Sequence, residues 1–285
     1  MCDHGSLPSP PSSDDGSYDS DENSGEPRLT PQELGALFVD FYSFMATLNY
    51  DKSELKIPPP TGWPGITTES CGGTKSDYAV EVLRHLPYFN SKGKSHIHYK
   101  SKLWDLTTWT ADDSEKHREI YDFVEFWSSE SEQDPGDVIC IAEGYESYGR
   151  GLWLLVNDCE IIEDMLKADT LSSVPVEEFF AKLKDQYERL QLIPGEDKVA
   201  IEAENVPERH ERISEEEVNS QSVEWRTDLD VQYIRQVYRD YGWPHSFDSK
   251  AASKAINALA GTWRCSHNPL QDGSALTDKK DSLES

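Results

Sequence analysis

From Thr30 onward, apolar residues return every third or fourth position: Leu34, Leu37, Phe38, Phe41, Phe44, Met45 and Leu48. That spacing gathers them into one stripe on a helix of 3.6 residues per turn. Thr30-Pro31-Gln32-Glu33 supplies the start: a capping hydroxyl, proline at the first helical position and glutamate at the third. The pattern predicts a helix from Pro31 to about Leu48. A second helix is expected from Ser76 to about Leu86, stopped by Pro87. A third is expected over roughly 114–127, with Ile120, Phe123, Val124 and Trp127 on one face. Between the first two runs LKIPPPTGWPGIT, whose prolines forbid a helix and favour an extended path. Trp63 there reads as a plug that anchors the loop on the core. The same Gly-Trp-Pro recurs at Gly242, Trp243 and Pro244, with different flanks.

The period then changes. HIHYKSKLWDLTTWT, from His96, has strand-like alternation and residues that favour strands. DVICIAE, GLWLLVND and EIIEDM are three short runs separated by turn residues, spaced as an antiparallel meander. A helix is expected to begin around Ser173-Val174-Pro175 and to stop near Pro194-Gly195, with Val176, Phe179, Phe180, Leu183, Tyr187 and Leu190 on its apolar face. Val199 to Glu204 can add one strand. Ser214 to Glu217 reads as a capping box, Asp228 or Asp230 opens another helix, and a last short helix covers about 249–259.

These elements divide the chain into an acidic disordered tail (1–29), an α+β domain (30–195), an acidic, mainly helical extension packed on that domain (196–264) and an unstructured tail (265–285). The first tail is Ser, Asp, Pro and Gly with almost no aliphatics, too little to offset its ordering entropy. Ser12, Ser13 and Ser20 stand beside acidic residues and fit acid-directed kinases. The formal charge is −27 over 285 residues, which repels phosphate backbones and argues against nucleic acid; basic partners, or mere solubility from carboxylates in tails and on solvated faces, fit better. The five cysteines are odd in number and lack CxxC spacing, so neither a disulfide framework nor a zinc finger is expected. No signal-like apolar region and no membrane-length apolar run is present in the sequence. The expected compartment is the cytoplasm, with the nucleus as a second location.

The loop between the first two meander strands concentrates the candidate chemistry: Tyr145, Glu146, Ser147, Tyr148 and Arg150 among three glycines. A nucleophile elbow needs G-x-S-x-G, and two residues separate Gly144 from Ser147. A dinucleotide loop needs a third glycine and a following helix, and a strand pattern follows instead. The plain reading is a hairpin loop in which Arg150 pairs with Glu143 or Glu146. His96 and His98, two apart on a strand, share a face, but a metal site needs a third ligand, and none is diagnostic nearby. No cofactor is expected. The eight tryptophans can line a ligand pocket, although aromatics of this size more often fill the core.

From Asp137 to Leu190 the order is strand, Gly-rich loop, strand, tight turn, strand, linker, then a helix reading VEEFFAKL. This resembles the second half of the SUKH superfamily, which includes fungal cell-wall-assembly regulators and bacterial toxin-immunity proteins. The counterparts are Ile141-Ala142-Glu143-Gly144, Gly151-Leu152-Trp153-Leu154-Leu155, Ile161-Ile162 and Val176-Glu177-Glu178-Phe179-Phe180. Leu83-Arg84-His85-Leu86-Pro87-Tyr88-Phe89 is similar to the family's early helix with Leu-Pro and an aromatic. Asp158-Cys159 stands where a turn glycine is common, and the family's Asn-Gly after the early helix is absent. The match covers about half of the chain. IPPP-x-GWP and LRHLPYF also resemble a group of filamentous-fungal proteins. The SUKH resemblance implies an α+β fold with a mainly antiparallel sheet, and protein binding without a catalytic centre. On that basis Tyr145, Glu146, Tyr148, Arg150 and Trp153 are the expected binding residues, since Tyr, Trp and Arg anchor interfaces most often. Strand alternation can equally place Trp153 on the core face. The alternative expectation is an enzyme of fungal, including secondary, metabolism with an aromatic-lined pocket.

Overall fold

The computed structural model describes residues 27–48, 50, 52–90, 95–108, 133–166, 169–195, 200–221 and 227–262. The helix expected over 114–127, the two tails and the kinase-type serines lie outside them. Helix α1 (Pro31–Leu48) starts as its sequence requires: the Glu33 N–H donates to Thr30 Oγ1 at 3.2 Å, and Glu33 Oε2 accepts from the Thr30 N–H at 2.9 Å. Helix α2 (Asp77–His85) is capped by Ser76, whose hydroxyl accepts from the Ala79 N–H. The two helices meet closely at Gly35, where a Cβ would stand 2.4 Å from the His85 carbonyl oxygen. A short antiparallel ribbon pairs β1 (Leu55–Lys56) with β2 (Tyr88–Phe89).

The main sheet holds seven strands. β3 (His96–His98), β4 (Ser101–Leu103), β5 (Val138–Gly144), β6 (Arg150–Leu155) and β7 (Glu160–Met165) follow one another in order, all antiparallel. β8 (Asp169–Thr170) and β9 (Val174–Pro175) share the outer edge of β7. The fold is therefore α+β with helices packed on an antiparallel sheet. Helix α3 (Val176–Glu188) lies against the sheet's inner face beside α1, and Phe180 stacks on Phe41 with centroids 4.5 Å apart. Ile139, Leu152, Leu154 and Ile161 meet these helices. Val138, Trp153 and Leu155 form a separate small cluster on the other face, with Cys140 and Ile162 packed against it.

The strand pattern from His96 divides into a hairpin, turning at Tyr99-Lys100. One expectation is corrected here. Helix α3 ends at Glu188, not near Pro194, because Leu190 adopts the left-handed conformation at φ +58°. Leu192–Pro194 then forms β10, which pairs with β11 (Ala200–Glu202) in a second two-stranded ribbon.

Beyond that ribbon come α4 (Glu215–Asn219), α5 (Asp228–Asp240) and α6 (Ser249–Thr262). Thr227, rather than Asp228, caps α5, in a reciprocal box with Asp230. The extension shares one hydrophobic cluster with the sheet and α1, running from Leu34 to Ile256. Arg235 of α5 fastens it. This 2% exposed side chain donates to the carbonyls of Leu190 (3.0 Å), Val206 (2.8 Å) and Ala203 (2.7 Å).

Candidate functional site

The β5–β6 loop and the β3–β4 turn meet at one end of the sheet, and the sequence makes that corner tight. The Tyr145 N–H donates to the Lys100 carbonyl at 3.1 Å, and the Arg150 N–H donates to that of Tyr99 at 3.2 Å. From the other side, the Tyr148 N–H donates to the Leu166 carbonyl and the Leu166 N–H to that of Gly149, each at 3.0 Å. Gly149 is required by closeness: a Cβ there would sit 2.3 Å from the Tyr145 carbonyl oxygen. The loop is therefore bonded to neighbours on both sides, which differs from the flexible hairpin its glycines suggest.

Glu146 and Tyr148 both hold the left-handed backbone conformation, at φ +59° and +62°, and Lys100 holds it across from them at φ +45°. L-residues other than glycine adopt this region at a cost of about 1–3 kcal/mol each, and they persist there only where surrounding bonds over-determine them. Only two other described non-glycine residues share it, Cys159 and Leu190. The strained backbone is thus concentrated at this corner.

Side-chain placement separates the five expected binding residues. Tyr145 and Tyr148 are half-buried at the surface and Glu146 is exposed. The Lys100 ammonium, nearly buried, pairs with Glu146 Oε2 at 3.0 Å. Burial pushes the Lys100 pKa down, but the bonds to Glu146 and Tyr99 outweigh it and hold the value above that of an ordinary lysine. The Tyr145 ring meets His96 edge-on at 5.6 Å. These groups form a lip.

Arg150 and Trp153 do not belong to it. Arg150 turns to the inner face, where it pairs with Glu163 (Nε to Oε1, 3.3 Å) and, through Nη2, with Glu202 of β11. The expected partners Glu143 and Glu146 are not the ones it takes. Trp153 points to the opposite face and is 5% exposed, in the small cluster with Val138 and Leu155. Burial holds the Glu163 carboxyl above the usual carboxylate range; Arg150 and Lys182 pull it down, and Glu202 and Glu204 push it up. Burial drives His98 down to about 3, helped by the charges of Arg150 and Lys182, so its imidazole stays neutral and Nδ1 accepts the Tyr99 N–H at 2.7 Å.

Lys100, Glu163 and Glu202 were missed by sequence reasoning. Their roles come from pairing between strands far apart in the chain, and no local motif marks them. Among the described residues no group of three His, Cys, Asp or Glu gathers where it could hold a metal ion. Nor, among them, is any helix long and apolar enough to cross a membrane. None of the protein-family models, curated proteins or solved structures compared with the chain matches it.

Proposed function

We propose that the protein is an intracellular protein-interaction or regulatory module of SUKH-like type, and that the lip of Tyr145, Glu146 and Tyr148 is its binding surface. The observation that carries this is the strained, doubly braced backbone at Glu146 and Tyr148, with Lys100 opposite. Strain of that kind collects at binding and switch positions, where it fixes side chains ahead of contact. Two tyrosines beside a carboxylate supply amphipathic anchors and a charge. The acidity of the chain, −27 overall, suits a partner with basic groups and not nucleic acid. The resemblance to SUKH proteins supports the same reading. The proposed compartment is the cytoplasm, with access to the nucleus.

The test is affinity capture from a filamentous-fungal lysate, comparing wild type with Tyr145→Ala/Tyr148→Ala after both are shown to fold. Arg150 is left intact, because its removal would strand Glu163 and Glu202. A partner held by wild type and lost by the variant is expected. A partner held equally by both proteins would remove the lip from the account. An enzyme remains the second reading. It rests on Glu163, a carboxyl kept above its usual range beside Arg150 and Glu202. Turnover abolished by Glu163→Gln would establish it.

A further inference from the structure

The β3–β4 turn does more than close its own hairpin. The Lys100 carbonyl accepts from the Tyr145 N–H at 3.1 Å, and the Tyr99 carbonyl accepts from the Arg150 N–H at 3.2 Å. A Cβ on Gly149 would stand 3.0 Å from the Lys100 carbonyl oxygen. Both ends of the β5–β6 loop are thus moulded on these two residues. Lys100 itself sits in the left-handed region, at φ +45°, where a turn ordinarily places Gly or Asn. Glycine would hold the same backbone at no steric cost, so the mould gives no reason for a lysine. The side chain gives one.

Lys100 Nζ lies 5.1 Å from the centroid of the Tyr99 ring and 3.0 Å from Glu146 Oε2. The two ends of that ion pair are unlike. The Lys100 side chain is 8% exposed and the Glu146 side chain 65%. The ammonium therefore comes from beneath, and the carboxylate is the part a partner can reach. Glu146 also opens a turn: its carbonyl accepts from the Gly149 N–H at 3.4 Å, and its own φ is +59°. An ion pair with an exposed carboxylate is worth little by itself. Its weight here comes from the other end, because an ammonium so nearly enclosed is costly to leave without an anion. Keeping Glu146 over that ammonium keeps the strained turn in its shape.

We propose that Lys100 is the positioning residue of the lip: it acts through Glu146, fixing that carboxylate, and with it the strained turn at 146–149, in the form a partner meets. This deepens the reading of the lip as a binding surface and rests on it. Lys100 then sets affinity without touching the partner. A lip released from it spreads over more conformations and loses binding strength to the entropy of ordering them.

The test uses the full chain and needs no partner. Lys100→Met removes the charge, while methionine, like lysine, is disfavoured in the left-handed region, so the backbone preference stays the same. Amide hydrogen exchange is read by NMR at Tyr148 and Gly149, with Leu154 in the middle of the meander as reference. In Lys100→Met the two lip amides should exchange about fivefold faster, with Leu154 and the urea midpoint unchanged, because methionine suits an enclosed site. Lys100→Arg should restore the slow exchange, and Glu146→Gln should reproduce the fast one. Glu146→Gln, at an exposed carboxylate, carries the test if Lys100→Met does not fold. A merely structural role would lower the urea midpoint and speed Leu154 together with the lip. That result would overturn the proposal, as would lip exchange that Lys100→Met or Glu146→Gln leaves unchanged, or that Lys100→Arg does not restore. The lip reading fails separately, when Tyr145→Ala/Tyr148→Ala holds the captured partner as wild type does.

Discussion

At Cys159 the backbone holds φ +55° while the thiol is fully buried, its Sγ directed at the Val156 carbonyl. A left-handed turn position of this kind is where glycine is ordinarily placed. That a Cys stands at this turn is read from the sequence; the burial of its thiol is not. His98 is a second residue whose surroundings set its chemistry. Its unfolded form takes a proton near 6.5, while the folded form, held at about 3 by burial, does not. The unfolded state therefore binds more protons, and His98 withdraws stability as pH falls through 6.5 towards 3. Glu163 and Asp164, both raised mainly by burial, act in the opposite sense. The comparison has therefore to be made against His98→Asn, whose amide oxygen can replace Nδ1 as acceptor. Between about pH 7 and about pH 5.5, urea unfolding should show the wild type losing about 1 kcal/mol more than the variant. Equal losses would mean that His98 is protonated in the folded protein.

The two Gly-Trp-Pro stretches show one local device used twice at the scale of elements. Gly62 and Gly242 are both left-handed, at φ +74° and +88°. Each following indole N–H donates to a carbonyl at the end of a helix: Trp63 to Leu86 after α2, and Trp243 to Tyr187 and Glu188 of α3. The reading of Trp63 as a plug was available from the sequence because its Gly and Pro neighbours are local signals. Its target was not, because that lies 23 residues away. Helix α1 and the β5–β7 meander were legible for a similar reason, since their caps, stripe and turns are all local. The β3–β4 hairpin was hidden because Tyr99-Lys100 contains neither Gly nor Asn, and β10 because nothing about Leu190 signals a left-handed stop. Arg235 sets the strength of the joint between the extension and the sheet domain. Arg235→Met would take the guanidinium donor from three buried carbonyls, of which that of Ala203 keeps the Val206 N–H, at a cost of about 2–5 kcal/mol. Because both parts share one core, a single unfolding transition should shift as a whole. Two separate transitions in the variant, with the sheet domain unaffected, would show that the joint is not cooperative.

For the whole molecule, the sheet does two things with the residues the sequence singled out. It raises Tyr145, Glu146 and Tyr148 to one corner, and it draws Arg150 and Trp153 to opposite faces beneath it. Trp153, expected at the lip or on the core face, lies instead on the face away from the main core, buried in the small cluster with Val138 and Leu155. The Arg150 partner Glu202, 52 residues away on a separate ribbon, could not be read from the loop itself. That partly buried ion pair ties the base of the lip to the β10–β11 ribbon, so the surface sits on a scaffold that reaches beyond its own hairpin. Binding at such a surface should bring little rearrangement. The most direct measurement is backbone hydrogen exchange across the whole chain, with and without the partner captured by wild type. The account predicts slowed exchange at 145–149 and in the adjoining turn at 99–100, with the rest of the sheet unchanged. Protection elsewhere, with those two segments unaffected, would contradict it.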